Sequence, residues 1–436
     1  MSIDPIEAEY AALREDLSGY LLGGGNLAVV KAPPGSGKTH TLIEVLATLV
    51  AKGKRIAVAA QTNSQADDIC QRFASDHHEV MTTRFASNGK LPPAGIPASV
   101  LWVTETAGLP TEPGVIISTT AKWSLTDMRE PYDLLAVDEA WQMSWADLMQ
   151  CALLSQNFMM IGDPGQIPPV VTIDVRRWET SPRAPHQAAP EIVLSEPTFA
   201  ETRFVGSLPA CRRLPHEAVD FVKPFYDFDF EPFVAKGTRG VDLPTNHRFA
   251  ALSDGRPMAI TISTPDHGPP IEVDLDLAQV AADLVGDLLA SNAKVRYRGA
   301  QEPLESKHIG VSSSHRVMNG ALGEALAAFG PELRVDTPER WQGLERPVMI
   351  AVHPLSGVTD PSAFDLETGR LCVMASRHQA AFIVLTRDHI GETLANFIPT
   401  AEQAPGRKDV VGRGHDTHLR FWRALVDQGR VLPLIS

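Results

Sequence analysis

Five short apolar runs punctuate the first part of the chain: LAVVKA (27–32), RIAVAAQ (55–61), GVIIS (114–118), DLLAVDEA (133–140) and FMMIGD (158–163). Each reads as a strand. Between them, TLIEVLATLVAKG (41–53) and NSQADDICQRF (63–73) carry apolar residues at helical spacing. Apolar strands alternating with amphipathic helices predict a parallel sheet covered on both faces. A second series follows a Pro- and charge-rich connection (174–191). Its strands are PMAITIS (257–263), HIGVSSS (308–314), RPVMIAVH (346–353) and AAFIVLTR (380–387), and its helices LAQVAADLVGDLLAS (277–291) and RVMNGALGEALAAF (316–329). The pattern predicts two α/β domains, 1–195 and 196–400, and a C-terminal helical appendage, 401–436, built on HLRFWRALVDQ. No internal repeat is visible.

Composition narrows the class. Of 436 residues 44% are hydrophobic and 21% charged, which is globular. No apolar run reaches membrane-spanning length, and MSIDPIEAEY is acidic and polar, unlike a signal peptide. Cys70, Cys151, Cys211 and Cys372 lie far apart with no Cys-x-x-Cys pair, which argues against zinc and disulfides and fits a reducing cytoplasm. The net charge of −14 excludes a protein that coats nucleic acid, so any such contact is confined to a groove. The adjacent His77 and His78 read as a solvated loop.

The chemistry starts at KAPPGSGKTH (31–40). A phosphate-binding loop needs backbone N–H groups turned inward and a helix N-terminus aimed at the anion. Here Pro34, Gly35, Ser36 and Gly37 form the turn, with Ala32 in the place of the usual first glycine. Lys38 supplies a point charge to the β- and γ-phosphates, Thr39 offers a hydroxyl to Mg²⁺, and His40 follows on the helix. A hundred residues on, Asp138 and Glu139 end a buried strand, where open α/β sheets bind ligands. Asp138 suits the metal shell and Glu139 the attacking water. Gln166, in IGDPGQIPPV, is placed to sense the γ-phosphate or that water.

APPGSGKT, AQTNSQADDI, VDEA and GDPGQIPPV, in that order, resemble the first-domain motifs of superfamily 1 helicases. CRRLP (211–215), VDTPERWQGLERPVMI (335–350) and GRLCVMASRHQAAFIVL (369–385) resemble the later ones. The TNSQADDI segment is similar to the branch holding the nonsense-mediated-decay RNA helicase and related 5′–3′ DNA helicases. The resemblance spans about residues 25 to 390 and implies two tandem RecA-like domains with parallel sheets and a nucleotide cleft between them. It implies ATP and Mg²⁺ as cofactors, with Arg213 and Arg377 reaching the γ-phosphate and Gly343 and Glu345 aligned beside the nucleotide. Arg370 also matches a family arginine. Two departures leave nucleotide choice open: no Gln precedes Gln61, and Arg212 stands where the family stacks an aromatic on the base.

Single-stranded nucleic acid, DNA ahead of RNA, is the expected partner, crossing the face opposite the nucleotide edge and touching both domains. Thr62, Asn63 and Thr119 on one domain, and Ser313, His315 and Arg316 on the other, are candidate contacts. Trp341 is either a stacking face for a base or core, and Trp141 and Trp145, at helical spacing, are core-facing. Little sequence is available for a strand-splitting insertion, so a protein partner for loading is expected. The expected activity is NTP-driven translocation, 5′ to 3′. A nucleotide-driven switch inside a protein assembly is the alternative. A small-molecule phosphotransferase would leave the second-half arginines without a role.

Overall fold

The computed structural model describes residues 4–127, 130–171, 174–178, 181–400 and 409–434. Among these, the chain forms two compact units. The first holds the residues up to Pro164 and Pro168–Pro209; the second holds Gly165–Ile167 and the described residues from Ala210 onward.

The first unit is an eight-stranded parallel sheet. Its strands are β1 (Leu27–Lys31), β2 (Arg55–Ala60), β3 (Thr82–Phe85), β4 (Leu101–Val103), β5 (Gly114–Thr119), β6 (Leu134–Val137), β7 (Phe158–Gly162) and β8 (Arg203–Ser207), in the order β4-β3-β5-β2-β6-β7-β1-β8. The register sets Lys31 beside both Gly162 and Ser207. Val29, Ala57, Ile116, Leu135, Val137 and Met160 fill one core under this sheet. The five apolar runs are all strands. The pattern misses β3 and β4, because TTRF reads as polar. Arg84 nevertheless lies fully buried in β3, with its Nε 2.7 Å from Asp67 and its Nη2 2.8 Å from Asn63.

Helices α1 (Pro5–Leu22), α2 (Lys38–Val50), α3 (Asn63–Asp76), α4 (Thr120–Ser124) and α5 (Trp145–Cys151) flank the sheet. Asp4 caps α1 and Pro5 occupies its first turn, where a missing N–H costs nothing. The Trp141–Trp145 segment is not one helix. Ser144 forms a capping box with Asp147 that starts α5 anew, and Trp141 lies in the preceding 3₁₀ turn, buried, its indole donating to Glu191. His77 is not a solvated loop residue: it ends α3 between Glu44 (2.9 Å) and Glu79 (3.1 Å), whereas His78 is exposed.

The second unit opens with a parallel pair, β9 (Ala210–Cys211) and β10 (Glu231–Pro232). β11 (Gly240–Asp242) joins β13 (Lys294–Tyr297) and β14 (Ala300–Pro303) in an antiparallel sheet. The main sheet is parallel and six-stranded: β12 (Met258–Ile262), β15 (Ile309–Ser312), β16 (Arg334–Asp336), β17 (Arg346–Val352), β18 (His378–Arg387) and β19 (Val431–Pro433), in the order β16-β15-β17-β18-β12-β19. Two apolar clusters cover its faces. The helix Val410–Asp427 inserts Phe421 and Leu425 into one of them, and Val431 then pairs with Ala259 of β12. Both units are thus parallel α/β sheets flanked by helices, as the tandem RecA-like expectation requires.

All four cysteines are buried free thiols. No helix among the described residues is long and apolar enough to cross a membrane.

Candidate active site

In the first unit the chain leaves β1 and turns through Ala32–Gly37 into α2. Gly35 (φ 60°) and Gly37 (φ 80°) adopt left-handed conformations that an L side chain disfavours, which is why glycine stands at both. Gly37 caps α2 with no side-chain acceptor of its own, so the first amides of α2 are directed at the loop. Ser36 is buried, and its Oγ has no hydrogen-bond partner among the described residues. An orphan hydroxyl beside a helix N-terminus fits a phosphate oxygen. The loop is braced from α1, where the Tyr10 hydroxyl donates to the Ser36 carbonyl at 2.7 Å.

Asp138 and Glu139 follow β6, two strands from β1 in the sheet order. The Lys38 ammonium sits 2.7 Å from Glu139 Oε1, and Thr39 Oγ1 donates to Asp138 Oδ2 at 3.2 Å. Burial lifts the Asp138 carboxyl to about 6, against the pull of Lys38. Burial pushes the Lys38 ammonium down, but Glu139, Asp138 and Asp163 outweigh it and hold the ammonium above its ordinary value. Glu139 has φ 51°, a left-handed backbone that is rare outside glycine and a mark of strain. Gly162, at the end of β7, makes that turn possible. A Cβ there would come within 2.8 Å of the Ala140 nitrogen. The Thr39 hydroxyl and the Asp138 carboxylate are the oxygen donors that would hold a Mg²⁺ ion, since such ions take one or two protein oxygens and complete the shell with phosphate and water.

The second unit gathers arginines. Arg213 Nε donates to Glu345 Oε2 at 2.8 Å, and its Nη1 donates to the Ser376 carbonyl at 3.2 Å. Gln379 Nε2 donates to Glu345 Oε1 at 2.7 Å, and Arg298 also pairs with that oxygen. Gly343, at φ 78°, makes the turn before Glu345, and the Arg346 amide donates to the Arg377 carbonyl at 3.0 Å. Arg377 is almost fully buried. The Arg212 guanidinium lies 3.9 Å from the centre of the Phe233 ring, and Arg239 donates to the carbonyls of Arg212 and Arg213. Arg212, Arg213, Gly343, Glu345 and the backbone at 376–377 therefore come together. Arg370 does not join them; it pairs with Glu339 at 3.1 Å and lies over Phe364. Gln166 is buried in the segment grouped with the second unit, and its backbone packs where a Cβ on Gly369 would touch at 2.8 Å. His40 is exposed in the first turn of α2, its ring 4.0 Å from Glu44.

The nucleic-acid candidates divide. Thr62 and Thr119 end adjacent strands, β2 and β5, paired through Ala60 and Thr119. This is the same C-terminal edge that carries Lys38 and Asp138, not an opposite face. Parallel strands all end on one side, and Thr62 and Thr119 lie at or just beyond such ends. Thr62 Oγ1 caps α3, Thr119 caps α4, and Asn63 Oδ1 accepts from Arg84. Ser313 is buried, the His315 ring lies 5.8 Å from Phe364, and Arg316 is exposed. Trp341 is corrected. It is fully buried, its indole donates to the Val311 carbonyl, and its ring fills the space a Cβ on Gly310 would take. No face is left for a base.

Three contributors were not anticipated. Asp163, buried at the end of β7, acts electrostatically on Lys38, and its strand-end position in IGD was the available signal. Tyr10 and Arg298 are far from the motifs in sequence and carried none.

A parallel sheet with a glycine-turned loop, a lysine and two strand-end carboxylates defines a P-loop NTPase-type domain. Residues 24–172 match the family model of the AAA domain. The yeast (Saccharomyces cerevisiae) DNA replication ATP-dependent helicase/nuclease DNA2 is 27% identical over 158 residues, 34% of this chain and 10% of that protein. The DNA polymerase alpha-associated DNA helicase A of Schizosaccharomyces pombe is 45% identical over 49 residues, 11% of this chain and 7% of that protein. The chain thus matches a tenth or less of either relative. Among solved structures, the arterivirus nonstructural protein 10 helicase has a TM-score of 0.42 at 14% identity, covering 85% of this chain and 62% of that one. The PRRSV helicase has 0.41 at 14%, covering 86% and 55%. The ordered motifs, the family match and the two sequence relatives together make the chain similar to superfamily 1 helicases.

Proposed function

We propose that the chain is an ATP-dependent translocase or helicase acting on single-stranded nucleic acid, 5′ to 3′, with hydrolysis between a first lobe (1–195) and a second (196–400). One observation carries the reading: a lysine and two carboxylates gathered at a phosphate loop in one α/β unit, and arginines gathered on Glu345 in the other.

In this reading the loop amides, Ser36 and Lys38 bind the β- and γ-phosphates of ATP. Lys38 exchanges Glu139 for phosphate oxygen, which leaves the Glu139 carboxylate to orient the attacking water and accept its proton. Thr39 and Asp138 would hold Mg²⁺, whose charge would offset that of the polyphosphate. Arg213 and Arg377 stabilise charge on the transferring phosphoryl group, and Gln166 reports its loss. Phosphate release then relaxes the pair of lobes, one step per nucleotide hydrolysed.

The test titrates the full chain with single-stranded DNA and RNA, measuring hydrolysis of each NTP. Severalfold stimulation by either strand is expected, with ATP preferred. A flat rate at saturating concentrations of both would sink the translocase reading.

A second reading, a nucleotide-driven switch in a protein assembly, draws support from Thr62, Asn63, Thr119 and Trp341. Their side chains are already engaged in caps, an arginine contact and the core. A stoichiometric protein partner without strand stimulation would favour it.

A further inference from the structure

Phe364 is the only phenylalanine, tyrosine or tryptophan that lies exposed among the described residues, at 48%. A single exposed apolar side chain is ordinary on a protein surface, so exposure alone says little. Its mounting says more. The ring stands in the turn that leads into the helix Thr368–Ala375. Asp365 Oδ2 accepts from the Ser362 amide at 2.9 Å and from its hydroxyl at 2.6 Å, and Glu367 caps the helix through the amides of Gly369 and Arg370. From the first turn of that helix Arg370 reaches back over the ring, its guanidinium carbon 4.2 Å from the centroid. Glu339 at 3.1 Å and Glu367 at 3.5 Å anchor it there. A cation over an aromatic face is attractive, so the ring is held while about half of the residue stays in solvent.

The neighbouring ring is fixed as well. His315 lies 5.8 Å from Phe364, its plane tilted by 43°. Its backbone is held by Asn319, whose side chain accepts from the Ser313 amide at 3.0 Å and donates to the carbonyls of Ser313 and His315 at 2.6 and 2.9 Å. Rings already held in place lose little freedom when a flat group stacks on them. Arg316, the next residue, is exposed. His315 and Asp365 also border a cleft of about 380 Å³, with Pro270, Ile271 and Val358 in its walls and the exposed Glu272 and Asp360 beside them. Those carboxylates repel phosphate, so a strand lying here would turn its bases inwards and leave its backbone to Arg316.

We propose that Phe364, braced by Arg370 and flanked by His315, is the second unit's stacking face for a base of single-stranded nucleic acid, a role that buried Trp341 cannot take. The inference rests on the strand-translocating reading above. It names what is recognised at that site: the flat face of any base, without a hydrogen-bond code.

The test measures binding of the full chain to two strands of equal length, an oligothymidylate and an abasic deoxyribose-phosphate backbone, by fluorescence anisotropy, with melting temperatures alongside. Wild type should bind the base-bearing strand about tenfold more tightly than the abasic one. F364A should lower that ratio at least about threefold. F364L, which keeps apolar bulk without a π face, should behave like F364A, and F364W should keep the wild-type ratio, with its indole emission quenched by the thymidylate strand alone. A wild type that does not distinguish the two strands would overturn the proposal. A wild-type ratio in F364A or F364L would leave the ring to an apolar protein contact and would also overturn it. If wild type binds neither strand, the translocase reading itself fails, and this inference with it.

Discussion

The phosphate loop and the arginine cluster are built from opposite charges. At the first, Lys38 faces Asp138, Glu139 and Asp163. At the second, Glu345 faces Arg213 and Arg298, with Arg239 close by. In the proposed function a divalent cation would offset the acidic cluster, and a polyphosphate anion would offset the basic one. The clusters also differ in construction. The loop is held by backbone geometry, through two left-handed glycines and the Tyr10 brace, while the arginines are held by side-chain ion pairs.

The comparison breaks most directly at its carboxylate-rich end. Lys38→Ala and Glu139→Gln should each reduce steady-state turnover on the order of 10⁴-fold, to near background, with the fold intact by circular dichroism. At the other end, Arg213→Lys keeps the charge but loses the planar fork that Glu345 orients. It should cost about 10³-fold in kcat with nucleotide affinity nearly unchanged, read by single-turnover hydrolysis.

The supporting cores respond through stability. Trp341→Ala should cost the second unit about 3–5 kcal/mol in denaturant unfolding, as for any buried tryptophan, and should not selectively weaken strand binding. His418 gives a pH signature. It is fully buried on Val410–Asp427, faced by the His353 ring at 5.3 Å, with Trp422 beside His353 and His415 on its own helix. Burial, then His415, pushes its imidazole from 6.5 down to about 3. Burial, His418 and His389 likewise hold His353 well below its ordinary value. A depressed histidine stabilises the fold above the unfolded value, and that contribution is lost as pH falls from about 6.5 towards about 3. His418→Phe should therefore flatten the decline of melting temperature across that window. The smallest expected effect is at the loop's brace. Tyr10→Phe removes one neutral hydrogen bond, about 1 kcal/mol, and should weaken nucleotide binding by less than about tenfold in calorimetry.

Legibility in the sequence followed the range of the signal. The phosphate loop and the VDEA turn were readable because strand, glycines and charged residues are contiguous, and contiguity fixes local geometry. The apolar runs were readable because burial on both faces leaves a pattern of its own. β3 was not, since Arg84 is buried by virtue of Asp67 and Asn63, which only the fold brings near. Trp341 shows the converse limit. An aromatic beside a motif looks the same whether it faces a base or a core, and here the room left by Gly310 decided it. Arg298 and Tyr10 could not be read at all, because their partners, Glu345 and Ser36, are distant in sequence.

Glu139, finally, sits in a main-chain shape that its chirality resists. Exchange for glycine would relax that torsion and thin out a crowd of negative charge, so a Glu139→Gly chain should melt at a higher temperature than the parent while turning over nothing. Directed evolution that rewards heat tolerance without an activity screen would drift towards this inert form.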